Sequence, residues 1–157
     1  MKEGLSGRLR GKEAGVIRIE EIPVDRIEEF WEIHLKYLVD DAIIEDEEDI
    51  AYFTGDEYRN IIMAHMMRET DKHHMVYFVD DEKRIGAAQY NTYQSEDGKC
   101  FVLDFWVFPE YRGKGTGHQC FKALEAYTKE DGGGVKKLWF VFHTPVFFYR
   151  FHSLQAY

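Results

Sequence analysis

Three glycines, Gly113, Gly115 and Gly117, alternate along the run "FWVFPEYRGKGTGHQCF", residues 105–121. An apolar stretch precedes them and an amphipathic helical pattern follows. Glycine loses more backbone freedom on folding than any other residue, so this spacing indicates a backbone that must approach another group closely. Unpaired amides and the helix dipole at the start of a helix favour an anion. The run therefore predicts a loop that holds a phosphate-bearing cofactor, with added positive charge from Lys114.

Two common phosphate-binding patterns do not fit this loop. The P-loop pattern places its lysine directly after the last glycine, whereas Lys114 precedes Gly115. The dinucleotide pattern G-x-G-x-x-G requires a glycine where this chain has His118. For the loop taken alone, a glycine-rich turn packed close to a sheet remains the alternative.

Histidines and acidic residues elsewhere in the chain do not suggest a metal site. The adjacent histidines at 73–74 and the adjacent aspartates at 40–41 lack metal-ligand spacing, so we expect no metal. His34 and His65 each fall on an apolar stripe of a predicted helix. We expect both to be partnered histidines of the core.

The net charge of −9 comes from one acidic stretch, residues 40–57. It contains nine acids and no lysine or arginine, whereas the remaining twenty acids match the twenty bases of the chain. Because binding to nucleic acid requires Lys and Arg to neutralise phosphates, nucleic acid is not an expected partner. The acidic stretch favours a cationic small molecule. The alternative is a solvated surface at a helix junction.

Length and composition indicate one globular domain, because 157 residues that are 45% hydrophobic can bury a substantial core. Residues 1–15 are glycine-rich and mildly basic, and we interpret them as a flexible N-terminal arm or a remnant of an expression vector. No apolar run approaches the roughly 18 residues of a membrane span, so we expect no membrane association.

Cys100 and Cys120 form no disulfide framework and are expected to be buried thiols. This cysteine content favours the cytoplasm.

Hydrophobic periodicity predicts the element order β-α-α-β-β-β-α-β. The first two helices begin at capping patterns, Asp25 with Glu28 and Thr54 with Glu57. A third helix follows the glycines and ends near Glu130. Period-two alternation and turn residues predict five strands, at residues 16–22, 75–79, 84–94, 100–108 and 136–142.

The connections between these elements predict a mixed sheet. A strand, a helix and a second strand in residues 100–142 form a β-α-β crossover, so these two strands should be parallel. The hairpins before the crossover should be antiparallel. We therefore expect an α/β (α+β) fold with a mostly antiparallel sheet and helices on both faces.

The pattern Arg112-x-x-Gly115-x-Gly117, preceded by "DFWVFPEY", resembles the acetyl-CoA signature of the GNAT superfamily of N-acetyltransferases. The order of elements agrees from residue 16 to about residue 151. The resemblance implies a GNAT-like acyl-CoA N-acyltransferase fold in a single domain, residues 16–157. It also implies acetyl-CoA as the co-substrate.

In that superfamily, backbone amides of the loop bind the pyrophosphate of coenzyme A, and the pantetheine arm pairs with the preceding strand. The resemblance assigns the first role to Arg112, Gly113, Lys114, Gly115, Thr116 and Gly117. It assigns the second role to the backbone of Phe105, Trp106 and Val107. A backbone amide near Val107 is also a candidate donor to the developing oxyanion.

Acetyl transfer requires a base for the amine and an acid for the departing thiolate. By resemblance, the base is Asp104, where many members carry an acidic residue; some members have Glu at the position of Leu103. A structural role for Asp104, with a water chain as the base, is the alternative. By resemblance, the acid is Tyr149, in the "FY" pair with Phe148. A packing role in the aromatic core is the alternative for Tyr149.

These expectations lead to an acetyl-CoA-dependent N-acetyltransferase that acts by direct attack of a primary amine. The acidic stretch indicates a small acceptor that is cationic or polycationic. A non-catalytic coenzyme A-binding regulatory module is the first alternative, and a structural domain with a tight glycine turn is the second.

The end of the chain departs from the superfamily pattern. Members normally continue after this tyrosine with Gly-Phe and two final strands, whereas this sequence reaches Tyr157 and stops. The last two strands are therefore expected to be missing, which leaves the strand "KKLWFVF" as an apolar edge. We expect a second copy of the chain to cover residues 138–157 and give a homodimer. The alternative is that the sequence is incomplete.

Overall fold

A computed structural model of the protein describes residues 15–96 and 98–130 and the backbone of residues 137–140. The strands are β1 (Arg18–Glu21), β2 (His73–Asp80), β3 (Lys83–Tyr93), β4 (Lys99–Val107) and β5 (Lys137–Phe140). The helices are α1 (Ile27–Asp40), α2 (Glu47–Thr54), α3 (Asp56–Met66) and α4 (Thr116–Glu130). Short 3₁₀ turns at Val24–Arg26 and Pro109–Tyr111 precede α1 and follow β4. None of the helices in this part of the chain is long and apolar enough to span a membrane.

The five strands form one sheet in the order β1-β2-β3-β4-β5. The pairs from β1 to β4 are antiparallel, and β5 joins β4 in parallel, with Lys99 opposite Lys137 and Val102 opposite Phe140. The predicted hairpins, the parallel crossover and the mixed sheet are confirmed.

The sheet carries helices on both faces, as predicted. Along β2 the side chains alternate: Met75, Tyr77 and Val79 pack with α1 and α3, whereas Val76 and Phe78 pack with α4. This period of two is the geometry of a strand buried on both sides. On the α4 face, Cys100 and Cys120 are fully buried, and burial raises the pKa of both thiols to about 12. The expectation of buried thiols is thereby confirmed.

A β-bulge in β4 was not predicted and changes which side chains face α1. Gln89 lies opposite Asp104 whereas the next residue of β3 lies opposite Val102, so Leu103 is one extra residue in β4. Before the bulge, Cys100 and Val102 face α4. After it, the alternation is reversed, and Trp106 packs in the cluster under α1. Asp104, two residues before Trp106, lies on the same face.

The acidic stretch forms a helix that the sequence analysis missed. Asp46 caps α2 by accepting a 2.7 Å hydrogen bond from the Asp49 amide. Acids in the first turn also interact favourably with the helix dipole. The predicted cap at Thr54 was wrong: Thr54 ends α2, and its hydroxyl donates to the Ile50 carbonyl at 2.7 Å. Gly55 stands at the N-cap of α3, without a side-chain cap.

Two further expectations on this face need correction. A 3₁₀ turn after Pro23 delays the start of α1, so that Arg26, and not Asp25, occupies its N-cap position. His65 is partly exposed on α3 and is not a core histidine. His34, in contrast, is 2% exposed and partnered, as predicted.

Candidate functional site

The glycine loop, residues 112–117, joins the turn after β4 to the first residues of α4. Gly113, Lys114 and Gly115 have φ angles of +94°, +54° and +76°, three left-handed residues in succession. Glycine adopts this region without strain, which explains the first and third positions. A Cβ built on either glycine would meet nothing within 4 Å, so the outer surface of the loop is open.

Backbone amides at the start of α4 are available to a ligand. The Thr116 amide and hydroxyl both donate to the Gly113 carbonyl, at 3.1 and 2.8 Å. The first helical bond runs from the Gln119 amide to the Gly115 carbonyl at 3.1 Å. Within residues 15–96 and 98–130, no acceptor is hydrogen-bonded to the amides of Gly117 or His118. Such unpaired first-turn amides favour an anion.

The side chain of Arg112 binds both the end of β4 and the end of α1. Its Nε donates to the Val107 carbonyl at 2.7 Å, across the 3₁₀ turn, and thereby fixes the loop to the end of β4. Its two terminal nitrogens donate to the two carboxylate oxygens of Asp41 at 3.1 and 2.7 Å. Sequence analysis interpreted the stretch that contains Asp41 as a cation-attracting or a solvated surface, whereas in the structure its carboxylate links α1 to the glycine loop.

A cavity of about 190 Å³ lies between α1 and the end of β4. Tyr37 and Trp106 form one wall and stack in parallel, with ring centroids 4.4 Å apart. Five charged side chains also line the cavity: Lys36, Asp40, Asp41, Glu110 and Arg112. The cavity thus combines an aromatic wall with a charged rim.

Tyr37 lines this cavity. The residue is 8% exposed, and in the described part of the chain no side chain or backbone group is hydrogen-bonded to its hydroxyl. Burial raises the pKa of Tyr37, and the nearby carboxylates of Asp104 and Asp41 raise it further. The phenol is therefore neutral at physiological pH and lies in a region of negative potential.

Asp104 is 9% exposed, and its carboxylate has hydrogen-bond partners. Its Oδ2 accepts hydrogen bonds from His34 Nε2 at 3.0 Å and from the Gln89 side-chain amide. Both partners are themselves buried, at 2% and 1% exposure. The sequence analysis found Asp104 but not the Gln89 contact, although a glutamine that follows a run of apolar strand residues is a signal for such a buried partner.

The pantetheine-binding strand proposed from the sequence is the last part of β4. Trp106 and Val107 are buried on opposite faces, and Phe105 is partly buried beside Phe78 at a centroid distance of 5.1 Å. The proposed acid, Tyr149, and its neighbour Phe148 lie outside the described residues, as does most of the edge at residues 138–157. Among the described side chains, no group of three or more His, Cys, Asp or Glu could hold a metal ion.

Comparison with protein families gives a match over most of the chain. The model of the acetyltransferase (GNAT) family matches residues 17–152. Among curated proteins, no sequence matches this one.

Solved structures with the same architecture are numerous. A putative acetyltransferase (YycN) from Bacillus subtilis has a TM-score of 0.66 at 16% identity, over 90% of this chain and 91% of the other. The PaiA N-acetyltransferase from Thermoplasma acidophilum, in complex with coenzyme A, has a TM-score of 0.59 at 18% identity, over 88% and 87%. An aminoglycoside acetyltransferase from an uncultured soil metagenomic sample, in complex with sisomicin, has a TM-score of 0.56 at 14% identity, over 90% and 86%. At these identities the similarity shows the fold.

Proposed function

The chain belongs to the acetyltransferase (GNAT) family, and we propose that it transfers the acetyl group of acetyl-CoA to a small primary amine. One observation carries the proposal: β4 ends in a loop of left-handed glycines with open amides, and the same strand carries a buried carboxylate, Asp104. The first feature suits a pyrophosphate, and the second suits proton transfer from an amine.

The glycine loop is the proposed site of the coenzyme A pyrophosphate. The open amides of Gly117 and His118 and the dipole of α4 would stabilise its charge. The backbone of Phe105–Val107 would pair with the pantetheine arm. The side chain of Arg112 holds these two parts of the site together and contributes through position, because its guanidinium is already bound to Asp41 and Val107.

Direct transfer then needs few groups. A primary ammonium loses a proton to Asp104, and the freed electron pair attacks the thioester carbonyl. A backbone amide near Val107 would stabilise the oxyanion. The carbon–sulfur bond breaks, and the departing thiolate takes a proton, for which Tyr149 is the proposed donor. The nitrogen of the new amide gives up its second proton, which replaces the one that Tyr149 donates, and Asp104 releases its proton to solvent.

The acceptor is proposed to enter the cavity between α1 and β4. Negative potential from Asp104, together with the acidic stretch, favours a positively charged amine. A volume of about 190 Å³ accommodates roughly six water molecules, so it would hold the reacting end of the acceptor. The structural neighbour that was solved with sisomicin supports a small-molecule acceptor.

Thiol release from acetyl-CoA, measured across a panel of primary amines, tests the proposal. We expect release with at least one small cationic amine, an N-acetylated product by mass spectrometry, and a large loss of rate in Asp104→Asn. The exposed Asp25→Asn is the matched control and should retain the wild-type rate. Absence of release with every amine would refute the proposal.

A coenzyme A-binding regulatory module is the second candidate. It is favoured by the two hydrogen bonds on Asp104 Oδ2, because a buried carboxylate that accepts from protein donors can serve structure alone. Calorimetry that detects acetyl-CoA binding in a protein without amine-dependent turnover would support this candidate.

A further inference from the structure

A chain of buried polar side chains crosses the sheet face beneath α1 and α3. His34, His73 and Gln89 are each at most 2% exposed, and Asp104 is 9% exposed. His73 Nε2 lies 2.9 Å from the Gln89 side-chain oxygen, and the Gln89 amide nitrogen reaches Asp104. His34 Nε2 reaches the same carboxylate oxygen at 3.0 Å. These hydrogen-bonded side chains thus connect β2 through β3 to β4 and end on α1.

The hydrogen bonds to Asp104 have a defined direction. An ionised carboxylate only accepts, so the Gln89 amide nitrogen and His34 Nε2 are the donors to Asp104. The Gln89 side-chain oxygen then faces His73 Nε2, and the Asn91 side-chain oxygen lies 2.7 Å from His73 Nδ1. Burial lowers the pKa of His73 to about 4, so the ring is neutral and donates its one proton to one of these two oxygens.

Few other ionisable groups face Asp104 from the described elements. Tyr37 on α1 and Tyr58 on α3 are both buried, and burial raises the pKa of each, so both are neutral. The Gln89 amide nitrogen lies 3.4 Å from the Tyr58 hydroxyl. Farther out, Asp41 and Arg112 neutralise each other. His34 and Gln89 each bring an N–H donor to Asp104 Oδ2.

Core stability alone does not account for this arrangement. His34 stacks with Phe30 and lies against Trp106, so apolar residues could fill the space around it. Replacing a buried polar pair by packed apolar residues is often neutral or stabilising. The bulge at Leu103 also turns Asp104 towards these donors and away from the apolar face under α4.

We infer that His34 and Gln89 are positioning residues of the acetyltransferase. They donate to one oxygen of Asp104 and hold this carboxylate ionised and in a single orientation, ready to take a proton from the acceptor amine. In that step an N–H bond of the ammonium breaks, an O–H bond forms on Asp104, and the electron pair stays on nitrogen. This inference rests on the proposed function, and it adds residues outside the family signature.

Removing a donor should be visible in the pH dependence of the reaction. A hydrogen bond to the charged form lowers a carboxyl pKa, so its loss raises the pKa of Asp104. In His34→Phe and in Gln89→Met, the acidic limb of the kcat/KM profile should move to higher pH by about one unit, whereas the KM for acetyl-CoA stays unchanged. His34→Gln keeps an amide donor near the position of Nε2 and should restore the wild-type limb.

A second measurement reads the same effect without turnover. Carbon-13 NMR of the Asp104 carboxyl in the resting protein gives its titration midpoint in each variant. His65→Phe on α3, outside the hydrogen-bonded chain, is the matched control and should leave the midpoint unchanged. If His34→Phe does not fold, Gln89→Met tests the same oxygen.

The two proposals fail in different ways. A wild-type protein that transfers no acetyl group, but whose Asp104 midpoint rises in the variants, overturns the proposed function and leaves the role of the donors intact. An active enzyme whose pH limb and Asp104 midpoint are unchanged in both His34→Phe and Gln89→Met overturns the inference.

Discussion

The ion pair between Arg112 and Asp41 makes a sharp prediction about acetyl-CoA binding. The pair is bidentate, and its side chains are 42% and 24% exposed. Exposed pairs contribute up to about 1 kcal/mol, and the bidentate geometry places this one near that upper value. Asp41→Asn should therefore lower the free energy of unfolding by about 1 kcal/mol, which corresponds to a melting temperature about 3 °C lower.

The same change should weaken the binding of acetyl-CoA. Arg112 joins the glycine loop to the Val107 carbonyl, and Asp41 binds the other side of the same guanidinium, so we expect the loop to be less ordered without Asp41. If most of the pair's energy orders the loop, losing about 1 kcal/mol raises the Kd for acetyl-CoA about fivefold. The KM for the acceptor should change less, because Asp41 is already neutralised.

Calorimetry with acetyl-CoA measures this effect, and the neighbouring Asp40→Asn provides the matched control. Asp40 pairs with the exposed Lys36 on the same helix and does not contact the loop, so its variant should bind acetyl-CoA normally. In a double-mutant cycle, Asp41→Asn and Arg112→Gln should be non-additive. Wild-type affinity in Asp41→Asn, together with a raised acceptor KM, would refute the reasoning and return Asp41 to the acceptor site.

Three further predictions concern other parts of the chain. Gly115→Val forces a branched side chain into a left-handed φ, at a cost of at least about 1 kcal/mol, and projects it into the open loop. The melting-temperature rise with acetyl-CoA should disappear, and a retained rise would place the pyrophosphate elsewhere. Because the pKa of His73 is about 4 in the folded protein and near 6.5 unfolded, stability should fall by up to about 3 kcal/mol as pH drops through that window. Above this pH window His73 should contribute no pH dependence to the free energy of unfolding. In thermal melts of His73→Gln, the fall in stability across the window should disappear. A homodimer through residues 138–157 should persist in sedimentation equilibrium at high salt, where a monomer with full activity would rule it out.

The sequence was most informative where the signal is local. Period-two alternation predicted β2, β3 and β4, and the glycines predicted a loop between a strand and a helix, because strands and left-handed positions restrict residue type directly. Helix α2 was missed because it is short and begins with three acids, so it shows no extended helical pattern of apolar residues. Its start depends on the Asp46 cap and the helix dipole, which a hydrophobic pattern does not report.

Contacts between distant residues could not be predicted in the same way. His34 and Asp104 are separated by 70 positions, and Asp41 and Arg112 by 71. Each pair depends on how α1 crosses the end of β4, which the order of elements does not specify. The sequence identified three of these residues as candidates, but it considered Asp41 only as part of an acidic stretch that attracts a cation or faces solvent, and it left His34 as a core residue without a role.

The bulge at Leu103 connects the fold to both proposals. With strict alternation, Cys100, Val102, Asp104 and Trp106 would all face α4, and the carboxylate would be buried among apolar side chains. One extra residue reverses the alternation, so the first half of β4 completes the core under α4 and the second half presents Asp104 and Trp106 to α1. The same strand then ends at Val107, where Arg112 fixes the glycine loop. One strand thus brings the proposed base, Asp104, to the face of the sheet that α1 covers. The same strand leads into the proposed cofactor loop at the start of α4, which covers the other face.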